Sequence, residues 1–241
     1  MTIRLLTFDL DDTLWEIAPV LVRAEAITYA WLQLHAPAVT AKFSCDALRE
    51  MRLQIARDNP ELAHRVTDLR VRGLHCAMQQ AGISNDLIGD LVEQAFATFL
   101  HARHDIELFD DAEQVLLELK NRFRLGAITN GNFDIARAGL DRFFDFSVSA
   151  EKLARAKPHP EPFLHALALA NCEAHECIHI GDDIENDVRG AQRLGMHTIW
   201  INRQGLPWPG ENPPSQNVRF QNVQQLAELP AAVERIIDSL R

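Results

Sequence analysis

The chain has 241 residues, 47% of them hydrophobic, and a formal net charge of −10; it can bury a sizeable core, and it is too acidic for broad nucleic-acid binding, which needs clustered Lys and Arg. No window approaches the roughly 18 uninterrupted apolar residues that cross a bilayer, and Met1-Thr2-Ile3-Arg4 runs straight into a strand-like segment, so a cytoplasmic protein with no membrane partner and no nucleic-acid partner is expected. The four cysteines, Cys45, Cys76, Cys172 and Cys177, lack CxxC spacing and read as free thiols of a reducing compartment.

Ile3 to Phe8 reads as a buried strand, and it ends in Asp9, Asp11 and Asp12 before Leu14 and Trp15 resume the apolar pattern. Like charges at a strand tip repel unless a cation, a proton or hydrogen bonds compensate them. The structural alternative is a solvated acidic turn that caps the next helix. Four helices are then predicted in succession. The first begins near Pro19 and runs through Leu21, Ile27, Trp31 and Leu34 to a stop at Pro37. Ser44 caps the second, which carries Leu48, Met51 and Ile55 and ends at Asn59-Pro60. Leu62, Val66, Leu69 and Met78 mark the third, which stops at Gly82, and Ser84 caps the fourth, with Leu87, Leu91, Ala95 and Phe99 on one face.

From Glu107 helices and strands alternate, as a parallel sheet with crossover helices requires. Asp110 or Asp111 opens a helix ending near Arg122, Arg124 to Thr129 is a strand, and Asn132 to Leu140 is helical. Phe146 to Ser149 is a strand, Glu161 to Asn171 a helix after Pro160, Cys177 to Ile180 a strand, and Glu185 to Leu194 a helix closed by Gly195. Met196 to Ile201 forms another strand, Gln204 to Gln216 a Pro-rich loop, and Val223 to Leu240 a final helix. Since one strand precedes the helical block, the expected organisation is an α/β core made of 1–16 and 104–241, its first crossover expanded by an inserted helical domain, 17–103.

Open α/β sheets bind ligands beyond the carboxyl ends of their strands. The first strand delivers Asp9 and Asp11 there, and the second delivers Thr129-Asn130-Gly131, whose glycine lets backbone N–H groups approach an anion. A later loop carries Ala156-Lys157-Pro158, and another strand runs into Gly181-Asp182-Asp183, with Asp187 beyond. Each piece alone also fits an ordinary turn, surface loop or helix cap. Together they supply a nucleophile or base, oxygen ligands, a fixed cation and hydrogen-bond donors, the outline of a phosphoryl-transfer site with Mg²⁺.

These segments resemble the four motifs of the haloacid dehalogenase-like hydrolases: Phe8-Asp9-Leu10-Asp11-Asp12-Thr13-Leu14, Ile128-Thr129-Asn130-Gly131, Lys157-Pro158, and Gly181-Asp182-Asp183-Ile184-Glu185-Asn186-Asp187-Val188. The resemblance implies a Rossmann-like parallel-sheet core with helices on both faces and a helical cap of the C1 type. It also implies a phosphatase in which Asp9 forms an aspartyl-phosphate and Asp11 exchanges protons with the leaving group and the water. Mg²⁺ would take the Asp9 carboxylate, the Asp11 backbone carbonyl and Asp182, and Asp183 and Asp187 would orient waters or Lys157. Thr129, Asn130, Gly131 and Lys157 would hold the phosphoryl oxygens of a small phosphate ester. Members that dehalogenate carbon lack the second carboxylate, so Asp11 favours a phosphatase, while a phosphomutase also keeps both. Thr129-Asn130-Gly131-Asn132 and Gly195-Met196 leading to Trp200-Ile201 look closer still to bacterial phosphatases of FMN and of the phosphorylated ribitylaminouracil intermediate. Other nucleotide or sugar phosphates are the alternative substrates.

Other constellations read as structural. Cys172, His175, Cys177 and His179 lack zinc-finger spacing, His101 and His104 suit a helix C-terminus, and Trp15, Trp31 and Trp208 suit aromatic packing better than ring stacking on a ligand. A phosphorylatable receiver is disfavoured by Thr129-Asn130-Gly131 at the end of the second strand and by the inserted block. An idle binding scaffold of the same family is disfavoured by the joint presence of Asp9, Asp11, Lys157 and Asp182.

Overall fold

A computed structural model describes residues 2–62, 64–209 and 218–241, so the part of the predicted Pro-rich loop from 210 onward lies outside the described residues. Two compact units emerge, one made of Met1–Glu16 and Glu107–Arg241, the other of Ile17–Ile106. The first is organised on a six-stranded sheet of β1 (Leu5–Phe8), β2 (Arg124–Thr129), β3 (Phe146–Ser149), β4 (Cys177–Gly181), β5 (His197–Ile201) and β6 (Phe220–Val223), in the order β3-β2-β1-β4-β5-β6. Every pairing is parallel. Central β1 is buried throughout, with Phe8 opposite Ala127 on one side and Ile180 on the other. Burial on both faces explains why Ile3–Phe8 reads as a continuous apolar run instead of an alternating one.

The second unit is helical: α1 (Ile17–His35), α2 (Pro37–Lys42), α3 (Cys45–Asp58), a 3₁₀ turn at Pro60–Leu62, α4 (Val66–Gln80) and α5 (Asn85–Arg103). Four helices are expected from sequence; α2 is the addition, because Pro37 opens a short helix at a position where a missing N–H costs nothing. Leu62 belongs to the 3₁₀ turn and not to α4. Ser44 caps α3 as expected, accepting from the Ala47 N–H at 3.2 Å, whereas the Ser84 hydroxyl at the start of α5 turns to the Asp86 carboxylate. His104 closes α5, its Nδ1 lying 2.6 Å from the Leu100 carbonyl. Leu32, Val39, Leu74, Met78, Ile88 and Val92 form the unit's own core. Among the described residues no helix is long and apolar enough to cross a membrane.

The α/β unit continues with α6 (Ala112–Lys120), α7 (Ala150–Leu153), α8 (Pro160–Ala170), α9 (Gly190–Gln192) and α10 (Leu229–Asp238). α8 packs on β2 and β3, while α10 packs on β5, β6 and α6. Leu5, Ile128, Val148, Phe163, Cys177 and Met196 are buried together in one cluster. Three expectations are corrected. Residues 132–139 form no helix and Leu140 opens only a 3₁₀ turn: Asp134 accepts from the Ala136 N–H and left-handed Gly139 closes the segment with a Leu140 N–H bond to the Ile135 carbonyl, so one turn is capped at both ends before a helix can extend. The helix predicted over Glu185–Leu194 is a π-helix at Ile184–Arg189 followed by short α9. The final helix begins at Leu229, because Phe220–Val223 is the edge strand β6, whose polar residues, half-buried Gln221 and exposed Asn222, hide its strand character.

Phe163 is fully buried and sets its ring edge against His179, with centroids 5.1 Å apart. Phe163→Ala is expected to lower unfolding free energy by about 3–5 kcal/mol through loss of packing and a residual cavity. Half-exposed Leu117→Ala is expected to stay within about 0.5 kcal/mol; equal urea midpoints for the two variants would contradict this placement of the core.

Candidate active site

The chain lays β2 and β3 on one side of β1 and β4 to β6 on the other, so the crevice at the switch opens between the carboxyl ends of β1 and β4. Asp9 stands at that point, its N–H donating to the Ile180 carbonyl at 2.8 Å. Beyond it the chain folds into a tight turn, with Leu14 N–H to Leu10 O at 2.9 Å and Asp12 N–H to Trp15 O at 2.8 Å. Asp12 takes a φ of +59°, a conformation Asp tolerates better than most residues, and its side chain is exposed. Asp12 therefore shapes the turn. Asp11 is half-buried and bridges to Trp15. Trp15 is fully buried and packs on Phe133 at 4.6 Å, which confirms the packing reading of that ring.

Lys157 is buried and reaches to the ends of three strands. Its Nζ donates to Asp9 Oδ1 at 2.6 Å, to Asp187 Oδ1 at 2.6 Å and to the Ile128 carbonyl at 2.8 Å, which accounts for all three ammonium protons. The loop carrying it is clamped by Asn130, whose Oδ1 accepts from the Lys157 N–H at 2.8 Å and whose Nδ2 donates to the Lys157 carbonyl at 2.9 Å. The Lys157–Pro158 peptide is cis. Thr129 Oγ1 accepts from the Gly131 N–H at 3.0 Å, and Ser149 Oγ donates to the Gly131 carbonyl at 3.1 Å, holding the β2 loop.

From β4 come Asp182, Asp183 and Asp187, each with a different environment. Asp183 is exposed and caps the π-helix, accepting from the N–H groups of Glu185 and Asn186 at 2.8 Å each. The wide π-turn returns Asp187 to the interior, where Oδ2 accepts from the Asp183 N–H at 3.1 Å and Oδ1 lies 3.1 Å from His179 Nε2. A Cβ on Gly181 would collide with the Asp187 carboxyl, so glycine is required for this approach. Asp182 Oδ1 accepts from the Thr13 hydroxyl at 3.0 Å, with Asp9 Oδ2 at 3.4 Å from the same hydroxyl.

Thr13 and His179 are the two residues that sequence reasoning did not assign to the site. Thr13 follows Asp9 by one turn, and His179 is an inward position of β4. His179 Nδ1 lies 2.9 Å from Thr7 Oγ1, so it links a core hydroxyl to Asp187. Burial lowers its pKa, outweighing the opposing effect of Asp187, so it stays neutral. Of the residues that crowd near it in sequence, Cys172 and Cys177 are free thiols, in keeping with the structural reading of that group.

One ammonium faces three carboxylates. Burial pushes Asp187 up, but Lys157 and His179 outweigh it and bring the carboxyl down to about 2. Burial alone would depress Lys157, yet Asp187 and Asp9 more than offset it and raise its pKa. Asp9 is raised well above the usual range by burial, against the pull of Lys157 and with the repulsion of Asp187 and Asp182. Asp182 is raised to about 7, by burial first and then by Asp187. With all groups ionised the cluster carries two surplus negative charges. Ligand oxygens of Asp9, Asp182 and Asp187 lie within 4.8 Å of one another, so a hard divalent cation fits both the charge and the donor type.

Comparisons with known proteins bear on the family and the fold. The family model described as haloacid dehalogenase-like hydrolase matches residues 3–195. The 5-amino-6-(5-phospho-D-ribitylamino)uracil phosphatase YigB of Escherichia coli K12 is 35% identical over 199 residues, covering 83% of each chain. Human N-acylneuraminate-9-phosphatase is 28% identical over 245 residues, covering 97% of this chain and 95% of the relative. Among solved structures, a 2-haloacid dehalogenase from Pseudomonas syringae pv. tomato DC3000 superposes with a TM-score of 0.88 at 39% identity, covering 97% of this chain and 99% of the other.

Because the folded pKa of Asp182 lies above its ordinary value of 3.8, the stability it contributes is fully present below about pH 4 and is lost as pH rises through about 7. In magnesium-free buffer Asp182→Asn is therefore expected to gain stability relative to the wild type between pH 5 and pH 8, measured by urea unfolding. A difference that is constant over this range would contradict the assigned electrostatics.

Proposed function

The chain belongs to the haloacid dehalogenase-like hydrolases, and from that premise we propose a Mg²⁺-dependent phosphomonoester phosphatase acting through an aspartyl-phosphate on Asp9. The observation that carries the reading is Asp9 at the sheet's switch point, held by Lys157 at 2.6 Å within a group of three carboxylates. Asp9, Asp182 and the Asp11 backbone carbonyl would hold Mg²⁺, which supplies charge stabilisation to the phosphoryl oxygens when bound.

The protein's own groups then divide the work. The Asp9 carboxylate attacks phosphorus as the ester P–O bond breaks, and Asp11 gives its proton to the departing alkoxide. Asp11 next takes a proton from the water that attacks phosphorus, which releases orthophosphate and regenerates Asp9. Lys157 aims Asp9 and opposes charge on the phosphoryl group. Because its three protons are directed at protein oxygens, it acts through position and field. Thr129 and the backbone of Asn130 and Gly131 form the phosphate-holding corner, while the Asn130 side chain serves it indirectly by clamping the Lys157 loop. Asp187 and Asp183 are positioning residues, the first for Lys157 and the second for the π-turn.

The 39% identity to a solved 2-haloacid dehalogenase favours a second reading, halide displacement from carbon. Halide leaves without a proton, however, and an acid two residues beyond the nucleophile is needed for an alkoxide. Asp11 therefore favours the phosphatase. The likeness to YigB supports the phosphorylated ribitylaminouracil intermediate or FMN as substrate, ahead of other nucleotide or sugar phosphates and of a mutase reaction. The helical unit is the C1-type cap that selects among them, and free cysteines support a reducing cytoplasm.

Asp9→Asn is expected to abolish turnover of an aryl phosphate with the circular dichroism spectrum retained. Asp11→Asn is expected to lower kcat by about 10²–10⁴ with alkyl phosphates. Substantial Asp9→Asn activity would remove the nucleophile assignment, and halide release from 2-haloacids faster than phosphate release from any ester would favour the second reading. In a substrate panel, FMN and ribityl phosphates are expected to exceed hexose phosphates in kcat/KM; the reverse order would reject the substrate proposal.

A further inference from the structure

In the helical unit, α1, α3 and α4 line a partly open cavity of about 50 Å³ whose lining includes Glu25, Tyr29, Cys45, Arg49, Arg52 and Arg70. That is room for a few water molecules or one compact solute. Glu25 is buried, and three guanidiniums converge on it. Arg49 bonds Oε2 through Nε and Nη2 at 2.7 Å each, Arg52 Nη2 reaches Oε1 at 3.0 Å, and Arg70 approaches Oε1 at 3.3–3.4 Å. The Arg70 guanidinium also lies over the Phe99 ring, its central carbon 3.4 Å from the centroid. Asp46 adds a second carboxylate at 3.3 Å from Arg49, but it stands in solvent.

An internal ion pair needs one guanidinium for each carboxylate. Here Arg52 and Arg70, whose side chains are 22% and 12% exposed, share Oε1 of Glu25 while Arg49, on Oε2, already neutralises its charge. Partly buried like charges without matching counter-charge are costly. Burial and the neighbouring Arg52 bring the Arg70 pKa down to about 10, as expected where negative charge is in deficit. Planar guanidinium forks present paired N–H donors that match the oxygens of phosphate or carboxylate groups. The remaining walls are largely apolar, with Leu32, Leu48 and Leu74, and the hydroxyls of Thr28 and Tyr29 are bonded to backbone carbonyls.

We propose that this cavity is a binding site for a compact oxyanion of the phosphate type, held by Arg52 and Arg70 and supported by Arg49, separate from the carboxylate cluster of the α/β unit. Glu25 is then both the residue that orders the three arginines and the internal competitor of the ligand. Its neutralisation exposes the full positive surplus, so a bound anion in Glu25→Gln takes over the role of the lost carboxylate.

The test is titration of the arginine Nε–Hε NMR signals of the full chain with orthophosphate in magnesium-free buffer, chloride keeping ionic strength constant. Saturable shifts at Arg52 and Arg70 are expected, with a midpoint in the millimolar range or below. They should persist in Thr129→Val, weaken at least tenfold in Arg52→Gln and strengthen several-fold in Glu25→Gln. Orthophosphate should also raise the Tm of Glu25→Gln more than that of the wild type. Absent shifts, or equal shifts with chloride, would overturn the proposal. So would their loss in Thr129→Val, which would assign them to the other unit, or tighter binding of succinate than of phosphate, which would make the ligand a dicarboxylate. Should Arg52→Gln fail to fold, the wild-type and Glu25→Gln titrations decide alone.

Discussion

The ion-pair geometry of Lys157 is the constraint on which the candidate active site depends. A fully buried ammonium is tolerable only if its protons and charge are matched, and here three acceptors from β1, β2 and the π-turn after β4 do so. Asp187 is held ionised by this contact, Asp9 is oriented by it, and the Asn130 clamp fixes the loop from which Lys157 extends. The ammonium nevertheless falls short of the charge around it. Burial, together with the repulsion among these carboxylates, raises Asp9 and Asp182, and the surplus negative charge suits a divalent cation.

Topology explains why these groups meet. Asp9, Thr129 and Asp182 come from chain positions more than fifty residues apart, yet β1, β2 and β4 are adjacent and parallel, so their carboxyl ends share one edge. Beneath that edge Thr7 and His179 extend the hydrogen bonding into the sheet. A parallel sheet with buried strands cannot shift register without moving every one of these side chains to another face, which makes the core's rigidity part of the site's precision.

Much of this was legible in the sequence because the signals were local. Apolar runs ended in carboxylates, Asn-Gly followed β2, and Gly-Asp-Asp followed β4. The parts that were not legible depend on long-range partners. In the 132–140 segment the local breaks at Asp134 and Gly139 are masked by a helix-like apolar pattern, and the packing of Phe133 on Trp15 accompanies the turn they close. The π-turn at 184–189 has helical periodicity and is widened so that Asp187 can face Lys157. Edge strand β6 has polar residues because only part of it is covered. His179 reads as one more β-strand position until its ring is seen between Thr7 and Asp187, and the meeting of three arginines at Glu25 requires three helices to pack first.

The central claim is that a divalent cation completes the charge balance that Lys157 leaves unfinished. The most direct measurement is the number of protons released when Mg²⁺ binds near pH 6, from calorimetric titrations in buffers of different ionisation enthalpy. Release approaching one proton, abolished in Asp182→Asn, is the predicted result. Binding with no proton release, or no saturable Mg²⁺ binding at all, would contradict the account.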